Sequence, residues 1–432
     1  MELRPGYKQT EVGVIPEEWD VKPLAALFNF SGGFTASRNQ LSSEGYCYLH
    51  YGDIHKSTKT FIDVQAEYQD IPKLDISLKC VPSASLLDDG DVVFVDASED
   101  DEGTSKHVVV INKEDTTYIS GLHTIVAKST TDDLEHAYRR YCFQTRDIKR
   151  QFYFYAVGTK VSGISKANIA KLLIPLPTLP EQRAIAAALS DVDALLAKLD
   201  QLIAKKRDIK QAVMQQLLTG KQRLPGFSGE WEVKPLNSIS SMHGRIGWQG
   251  LKQEEFTANE DDPFLITGMN FRDGEIKWSE VYHIPDKRYE EAKPIQLRND
   301  DILMTKDGTI GKILYVKEIP SPGKASLNSH LLVFRPLNEA YVPMFLFYQL
   351  NSKRFSDYID LNKSGTTFFG ITQEAVGNYP TLLPCVGEQT AIANILSDMD
   401  AEIAKLEARR DKTRALKQGM MQELLTGRIR LE

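Results

Sequence analysis

A duplicated segment of about 40 residues constrains this chain more than any other feature. The segment from Glu181 to Gly220 recurs from Glu388 to Gly427 at a constant offset, and about 23 of the aligned residues are identical. Identity of this extent at one offset indicates an internal duplication. The stretches in front of the two copies are far less alike, so variable and repeated segments alternate along the chain.

Both copies are predicted to be long helices with a coiled-coil seam. Seam residues are spaced by alternating intervals of four and three, with a polar interruption at the same place in each copy, and no proline interrupts either copy. Gly220 and Gly427 are predicted to end the helices. The two seams contain Ile185, Leu189, Val192, Leu196, Leu199, Ile203, Lys206, Lys210, Val213 and Leu217, and Ile392, Leu396, Met399, Ile403, Leu406, Arg410, Thr413, Lys417, Met420 and Leu424.

The charge pattern predicts how the two helices pair. The first half of each copy is acidic and the second half is basic, so an antiparallel pair sets opposite charges against each other. A parallel pair would stack like charges. The alternative is that these charges lie on the solvated faces of ordinary helices.

The repeat also predicts the domain organisation. The segment from Trp19 to Leu24 is echoed from Trp231 to Leu236, and short strand-like runs with intervening helical patterns follow both. We therefore expect an α+β protein with a pseudo-two-fold internal repeat, in which two α/β globular domains are separated by two helices packed as an antiparallel coiled coil. The predicted segments are 1–178 and 221–385 for the variable domains, and 179–220 and 386–432 for the helical regions, the last including a C-terminal tail.

Composition narrows the class of protein. The 432 residues, 42% of them hydrophobic, suit a soluble protein with two or three domains, and neither a membrane span nor a signal peptide is evident. A cytoplasmic location is expected. Four scattered cysteines argue against a disulfide framework and a zinc site. A net charge of −7 argues against a free-standing DNA-binding protein.

The predicted helix pair suggests a molecular ruler. Helices of about 40 residues extend roughly 60 Å at about 1.5 Å per residue. Two unlike domains held at a fixed separation suit a bipartite, asymmetric target. Lengthening one helix by about four residues, or about 6 Å, is expected to lengthen the spacer of the target without changing either half-site.

Several motifs, taken together, resemble those of the specificity subunit of type I restriction-modification enzymes, and the resemblance covers nearly the whole chain. Leu179-Pro180-Glu181-Gln182 and Leu217-Leu218-Thr219-Gly220 are of this type. The segments 6–16, 90–100 and 244–252 also resemble segments of that family, the last two from its target recognition domains.

The resemblance implies a non-catalytic subunit without a cofactor of its own. Two target recognition domains would read the halves of a split double-stranded DNA sequence, and the helices would dock two methyltransferase subunits. Those partners carry S-adenosylmethionine and methylate adenine N6, and restriction subunits that use ATP and Mg join them for cleavage. Much of the phosphate contact could then come from the partners, which reconciles the acidic charge balance of this chain with DNA binding. The polar interruptions are candidate sites for partner helices or DNA backbone, or else a hydrated bulge, at Lys206, Lys210, Arg410 and Lys417.

Candidate DNA-contacting residues lie in polar, glycine-containing loops, where donors can reach a groove. The alternative for each loop is an ordinary surface turn. His123 and His330 occupy equivalent positions and are predicted to be structural. The candidates in the first domain are Thr35, Arg38, Asn39, Gln40, Ser98, Thr159 and Lys160, and those in the second are Arg245, Trp248, Gln249, Lys306, Thr309, Lys312, Thr366 and Thr367.

Two other functions remain open. Pro285-Asp286 followed by Glu291-Ala292-Lys293 superficially matches a metal-dependent nuclease pattern, in which carboxylates clamp a divalent ion beside a lysine. A nuclease or fused restriction enzyme that uses residues 285–293 is therefore the alternative function. A coiled-coil scaffold without nucleic acid is disfavoured, because the variable domains occupy most of the chain.

Overall fold

The computed structural model describes residues 4–57, 59–98, 103–158, 162–245, 250–272, 274–365 and 369–431. The chain forms two compact units. Unit 1 contains Met1–Asp200 together with Arg409–Glu432, and unit 2 contains Gln201–Ala408. Unit 1 is therefore built from both ends of the chain, whereas unit 2 is one continuous segment.

Unit 1 is a mixed structure of short strands and helices. Its described strands are β1 (Tyr7–Thr10), β2 (Gly13–Pro16), β3 (Asp20–Pro23), β4 (Phe28–Gly32), β5 (Leu41–Ser42), β6 (Tyr46–Leu49), β7 (Phe61–Asp63), β8 (Lys73–Leu74), β9 (Val92–Val95), β10 (Ala97–Ser98), β11 (His107–Ile111), β12 (Tyr118–Ser120), β13 (Thr124–Ser129), β14 (Ser162–Gly163) and β15 (Leu173–Leu176). Its short helices are α1 (Tyr51–Lys56), α2 (His136–Cys142), α3 (Arg146–Tyr155) and α4 (Lys166–Ile169).

Two sheets form the centre of unit 1. The larger has the spatial order β4-β13-β9-β11-β7, and its neighbouring strands are antiparallel except for the parallel pair of β11 and β7. The second has the order β12-β6-β8-β5, with β12 parallel to β6. All four residues of β9 are buried, as expected for a central strand covered on both faces.

Two long helices connect the units. The first is α5 (Leu179–Leu217) and the second is α11 (Val386–Leu424). Gly220 and Gly427 follow them with φ angles of 68° and 69°, a left-handed conformation that glycine adopts without strain. The prediction that these glycines mark the helix ends agrees with this geometry.

Unit 2 has the same kinds of element. Its described strands are β16 (Glu232–Pro235), β17 (Ser240–His243), β18 (Phe264–Ile266), β19 (Phe271–Arg272), β20 (Glu275–Ile276), β21 (Tyr282–His283), β22 (Ile302–Thr305), β23 (Ile313–Tyr315), β24 (Ala325–Leu327), β25 (Leu331–Pro336) and β26 (Pro380–Leu383). Its short helices are α6 (Leu236–Ile239), α7 (Asp286–Glu290), α8 (Pro343–Leu350), α9 (Lys353–Asn362) and α10 (Gln373–Gly377).

The two units share one strand order although their sequences differ. The order β17-β25-β22-β23 in unit 2 matches β4-β13-β9-β11 in unit 1, and all these neighbours are antiparallel. The order β24-β18-β21 likewise matches β12-β6-β8, with the parallel pair in the same place. The duplication therefore includes the variable domains, and the predicted α+β fold with an internal repeat is confirmed.

The long helices pair antiparallel within each unit. In unit 1, Asp193 lies 2.7 Å from Lys417 and Asp200 lies 3.7 Å from Arg410. Residue numbers thus fall along one helix as they rise along the other. Unit 2 repeats this ladder with Lys206 and Glu402 at 2.7 Å and with an ion pair of Lys210 and Asp400. The predicted pairing of acidic halves with basic halves is confirmed.

A buried Trp–Glu–Arg cluster joins the helix ends in each unit. In unit 1, the Glu181 carboxylate accepts hydrogen bonds from Trp19 Nε1 at 2.9 Å and from Arg430 Nε at 2.6 Å. In unit 2, Glu388 accepts from Trp231 Nε1 at 3.2 Å and from Arg223 Nε at 2.7 Å. Each glutamate begins one long helix, whereas its arginine follows the end of the other. The start and the end of the chain are thereby fastened together in unit 1.

The helical pattern of Met344 to Phe355 corresponds to two helices in the structure. The first, α8, ends at Leu350, and the second, α9, begins at Lys353. Ser352 separates them because its side chain caps α9 by accepting from Phe355 N. Among the described residues, no helix is long and apolar enough to cross a membrane.

Candidate nucleic-acid interface

One edge of the main sheet in unit 1 gathers several predicted DNA-contacting loops. Asp96, which follows β9, donates from its backbone N to the O of His123 at 3.2 Å, and its own O accepts from Ile164 N at 2.8 Å. Gly33, which follows β4, donates to Thr124 O at 3.2 Å. The loops after β4, β9 and α3 therefore meet at the start of β13.

The same edge exists in unit 2. The backbone N of Lys306, just after β22, donates to His330 O at 2.9 Å, and Lys306 O accepts from Ile371 N at 2.9 Å. Gly308 N donates to Phe369 O at 3.0 Å. By these contacts Lys306 occupies the backbone position that Asp96 occupies in unit 1. Both units thus present an equivalent loop-bearing edge.

Arg38 is the most favourably placed base-reading candidate in unit 1. Its Nη2 donates to Asp53 Oδ1 at 2.6 Å and lies 3.3 Å from His50 Nδ1. Half of the Arg38 side chain remains exposed, and Arg38 is one of the residues that line a cleft of about 430 Å³. Burial, followed by the charge of Arg38, lowers the pKa of His50. Asp53 therefore orients a guanidinium that still has donors available.

The remaining unit 1 candidates fall into three groups. Thr35, Asn39 and Gln40 are exposed, although Gln40 Oε1 accepts from Ser37 N at 2.8 Å. Ser98 is buried on β10, with 6% of its surface exposed, and so is poorly placed for base contact. Thr159 and Lys160 lie outside the described residues.

Arg245 in unit 2 is buried and not displayed to solvent. Its Nε donates to Leu327 O at 2.8 Å and its Nη2 to Ser326 Oγ at 2.9 Å. Burial, helped by nearby Arg288, lowers the pKa of Arg245 to about 10. The Arg245 side chain thereby links the segment that follows β17 to β24. Trp248 and Gln249 lie outside the described residues.

The loop between β22 and β23 displays polar groups. Thr309 and Lys312 are exposed, and Thr305 closes the loop because its hydroxyl donates to Thr309 O at 2.5 Å and accepts from Lys312 N at 3.0 Å. Lys306 Nζ lies 2.6 Å from Asp307 Oδ2. Thr366 and Thr367 lie outside the described residues.

The two equivalent histidines each contact an aspartate at these edges. His123 Nδ1 lies 3.1 Å from Asp96 Oδ1, and His330 Nδ1 lies 3.1 Å from Asp307 Oδ2. About half of each histidine side chain is exposed. The sequence shows the histidines at equivalent positions, but it does not reveal that a carboxylate meets both.

The predicted partner-binding cations are engaged within the chain. Tyr141 OH donates to Asp193 at 2.9 Å, and Lys417 lies 5.5 Å from the centre of the Tyr141 ring. Tyr348 OH donates to Asp400 at 2.8 Å, with Lys210 5.3 Å from the Tyr348 ring. Such duplicated contacts fix the helix register. Ion pairs with the opposite helix engage all four cations, Lys206, Lys210, Arg410 and Lys417.

A second apolar stripe runs along the outside of α5. Leu195, Leu202 and Ile209 recur at seven-residue intervals and are each 38–40% exposed. This spacing places them along one side of the helix, and their exposure separates them from the buried seam. A search for a second heptad stripe in the sequence would have found these residues.

The alternative nuclease function finds no support in the structure. Asp286 lies 2.7 Å from Lys324 and Glu291 lies 2.5 Å from Arg288, so each carboxylate is paired with a basic side chain. Across the part of the chain that the structure describes, no group of three or more His, Cys, Asp or Glu residues is arranged to hold a metal ion.

Comparison with known proteins agrees with this architecture. A family model described as the type I restriction modification DNA specificity domain matches residues 16–206 and again residues 228–413. The putative type I restriction enzyme MjaX specificity subunit of Methanocaldococcus jannaschii is 25% identical over 438 residues, which cover 99% of this chain and 97% of that protein.

Solved structures show the same fold. The S subunit of a type I restriction-modification system from M. genitalium aligns over 98% of both chains with a TM-score of 0.55 and 14% identity. A chain from a study of complex assembly and conformational transition in the type I R-M system aligns over 96% of this chain and 99% of its own length, with a TM-score of 0.60 and 17% identity. Because the family model matches most of the sequence in two tandem copies, this chain belongs to the family of type I restriction-modification DNA specificity subunits.

Proposed function

We propose that this chain reads a split, asymmetric sequence in double-stranded DNA, one half-site per unit, and directs methyltransferase subunits to adenines in that sequence. The chain contributes recognition and no chemistry of its own. The observation that carries this proposal is the shared strand order of two units whose sheet edges bear different side chains. Two domains with the same strand order but different side chains at the sheet edge are suited to two half-sites that differ in base sequence.

Arg38 is the proposed base-reading residue of unit 1. Two donors on one guanidinium match the O6 and N7 acceptors of guanine in the major groove. Asp53, 2.6 Å away, restricts the rotamers of Arg38, so binding costs less side-chain entropy. Thr35, Asn39 and Gln40 are exposed beside it and are proposed as accessory contacts.

Unit 2 has a different set of proposed contacts. Lys306, Thr309 and Lys312 border its equivalent edge. We assign Arg245 to positioning, because its guanidinium is buried against β24. Trp248, Gln249, Thr366 and Thr367, and Thr159, Lys160 and Ser98 of unit 1, remain proposals from the sequence.

The outer stripe of α5 is the proposed docking surface for a helix of a partner subunit. Leu202 and Ile209 are too exposed to serve the internal seam, and their heptad spacing fits a third helix laid alongside. The ion-paired cations Lys206, Lys210, Arg410 and Lys417 would then support partner binding indirectly, because they fix the register of the two long helices. Two methyltransferase subunits holding S-adenosylmethionine, and restriction subunits using ATP and Mg, complete the proposed assembly in the cytoplasm.

The proposed functional segments follow the repeat. Target recognition is assigned to residues 1–178 and 221–385, and subunit docking to residues 179–220 and 386–432. The C-terminal part of the second helical segment also belongs to compact unit 1, so docking and the integrity of that unit are coupled.

Methylome sequencing tests the proposal. A host that expresses this chain with its methyltransferase should carry methylated adenines in one split, asymmetric motif, and a host with the methyltransferase alone should lack them. Methylation that is independent of this chain would refute the function.

The Arg38→Ala variant tests the reading residue. We expect relaxed specificity at one base pair of one half-site, because a bidentate contact contributes about 1–3 kcal/mol of discrimination. Arg150→Ala is the matched control, since Arg150 is an exposed arginine on α3 of the same unit. An unchanged motif in the Arg38 variant would contradict the assignment.

A further inference from the structure

The histidine–aspartate pair is a feature that both loop-bearing edges share. Asp96 and Lys306 occupy the same backbone position, since each donates to the histidine carbonyl and accepts from the equivalent isoleucine amide. The carboxylate that meets His330, however, belongs to Asp307, one residue later. The pair is thus formed from non-equivalent positions in the two units. Both units keep a histidine–aspartate contact although the aspartate comes from a different position, which indicates that the contact itself has a role.

The geometry of each pair leaves one ring nitrogen for an outside partner. The carboxylate engages Nδ1 of His123 and of His330, so Nε2 faces away from it. The His123 ring also meets the Tyr51 ring edge-on, with the centroids 5.3 Å apart. His330 is steadied at its backbone, where its N donates to Asn328 Oδ1 at 3.1 Å. Both imidazoles are held in place while half of their surface remains exposed.

The shared pair should bind something that the two half-sites share. The bases of an asymmetric target differ between its halves, whereas the sugar–phosphate backbone is chemically the same in both. We propose that His123 and His330, as imidazolium ions oriented by Asp96 and Asp307, each donate through Nε2 to a phosphate of the DNA backbone. This inference rests on the proposed DNA-reading function and adds a positioning role to both units.

Protonation is required for this contact. A neutral imidazole whose Nδ1–H faces a carboxylate has an acceptor at Nε2, and only the imidazolium donates from both nitrogens. Among the described residues, the charged and titratable neighbours of His123 are Asp96, Tyr51 and His50, with Arg38 and Asp53 beyond His50.

In the part of the chain that the structure describes, the charged group that contacts the His330 ring is Asp307. Asp307 contacts both Lys306 and His330. Burial opposes ionisation of Asp307, but the hydrogen bonds from Lys306 and His330 outweigh it, so the pKa of Asp307 is lowered. An ionised carboxylate therefore faces the His330 ring, and a DNA phosphate would add a second negative group on the other side of that ring.

The test is DNA binding by the full chain assembled with its methyltransferase subunits. Fluorescence anisotropy would compare wild type with His123→Asn and His330→Asn on a duplex that carries the methylome motif and on a scrambled duplex. Asparagine suits position 123, where φ is 56°. His136→Asn is the matched control, because His136 is half exposed with Asp89 3.7 Å away but lies at the start of α2.

We expect each variant to lower the affinity for both duplexes by the same factor, roughly 3- to 10-fold. The slope of log K against log salt should become shallower by about 0.9 for each phosphate that is no longer neutralised. The methylated motif should stay unchanged, and the His136 variant should bind like wild type. Thermal melting would confirm folding, and the variant in the other unit is an independent test if one does not fold.

Three results would overturn the inference. They are unchanged affinity and salt slope in both folded variants, an equal reduction in affinity in the His136 variant, or an altered methylation motif, which would indicate base reading. Failure of the proposed function is separately visible, because the wild-type assembly would then show no preference for any motif.

Discussion

The Glu181→Gln substitution should destabilise unit 1 through the cluster that fastens the chain ends. Glu181 is 4% exposed and its carboxylate accepts from Trp19 and twice from Arg430, at 2.6 and 3.0 Å. Glutamine keeps the shape but removes the charge and turns an amide NH₂ toward these donors. Removal of one partner from a buried ion pair costs about 3–5 kcal/mol.

Two features of the cluster reduce that cost. The Arg430 side chain is 30% exposed, and its guanidinium keeps Glu18 at 2.9 Å. Its unpaired charge can therefore reach water and a second carboxylate, so we expect about 2 kcal/mol. For a unit of this size the melting temperature should fall by roughly 4–8 °C.

Differential scanning calorimetry of the full chain would measure the effect. Glu18→Gln is the matched control, because Glu18 contacts the same guanidinium but its side chain is 72% exposed. An exposed pair contributes little, so a shift of no more than about 1–2 °C is expected there. Equal melting temperatures for the Glu181 and Glu18 variants would refute the idea that burial gives this contact its strength.

Three further predictions concern spacing, catalysis and pH. Insertion of seven residues into both α5 and α11, after residues 200 and 408, keeps the ion-pair register and adds about 10 Å of helix. Methylome sequencing should then show a spacer that is longer by about three base pairs, with unchanged half-sites. An unchanged spacer would refute the hypothesis that the helices set the spacer length. Asp286→Ala with Glu291→Ala should leave the methylated motif intact, since both carboxylates serve surface ion pairs, and disappearance of the motif would reopen a direct role for this segment. Burial lowers the pKa of His107 to about 4. The buried neutral form therefore contributes fully to stability above about pH 6.5, the usual pKa of histidine in an unfolded chain. Stability should fall as the pH drops from there toward 4, because the unfolded chain then binds a proton that the folded chain does not. His107→Phe should flatten that part of the stability profile in urea titrations, and an identical profile would contradict this.

The long helices could be predicted because their signals are local. Seam positions such as Leu189 and Leu396 recur at intervals of three and four, and charge complementarity gives the direction of pairing. Strand segments such as His107–Ile111 were also recognisable from runs of β-branched residues. The shared strand order was not, because pairing of β4 with β13 or of β17 with β25 joins segments that are distant in sequence.

The candidate interface was predictable in outline but not in its side-chain roles. Polar loops with glycine mark where a chain turns, and these loops do meet at one edge in each unit. Arg245 looked like a displayed donor because the carbonyl of Leu327 and the hydroxyl of Ser326, which hold it, are about 80 residues away. The carboxylate beside His330 was equally hidden, since Asp307 lies on a different strand connection.

The fastening of the two chain ends has a consequence for the order in which the protein is made. Unit 2 is contiguous from Gln201 to Ala408, so all of its residues are available before synthesis ends. Unit 1 begins first but needs Leu424, Leu425 and Arg430 for its core and its buried carboxylate. During translation unit 2 can therefore fold while unit 1 still lacks the end of α11 and the residues that follow it. A chain truncated before Leu424 would keep every residue of unit 2 but would lack part of the core of unit 1.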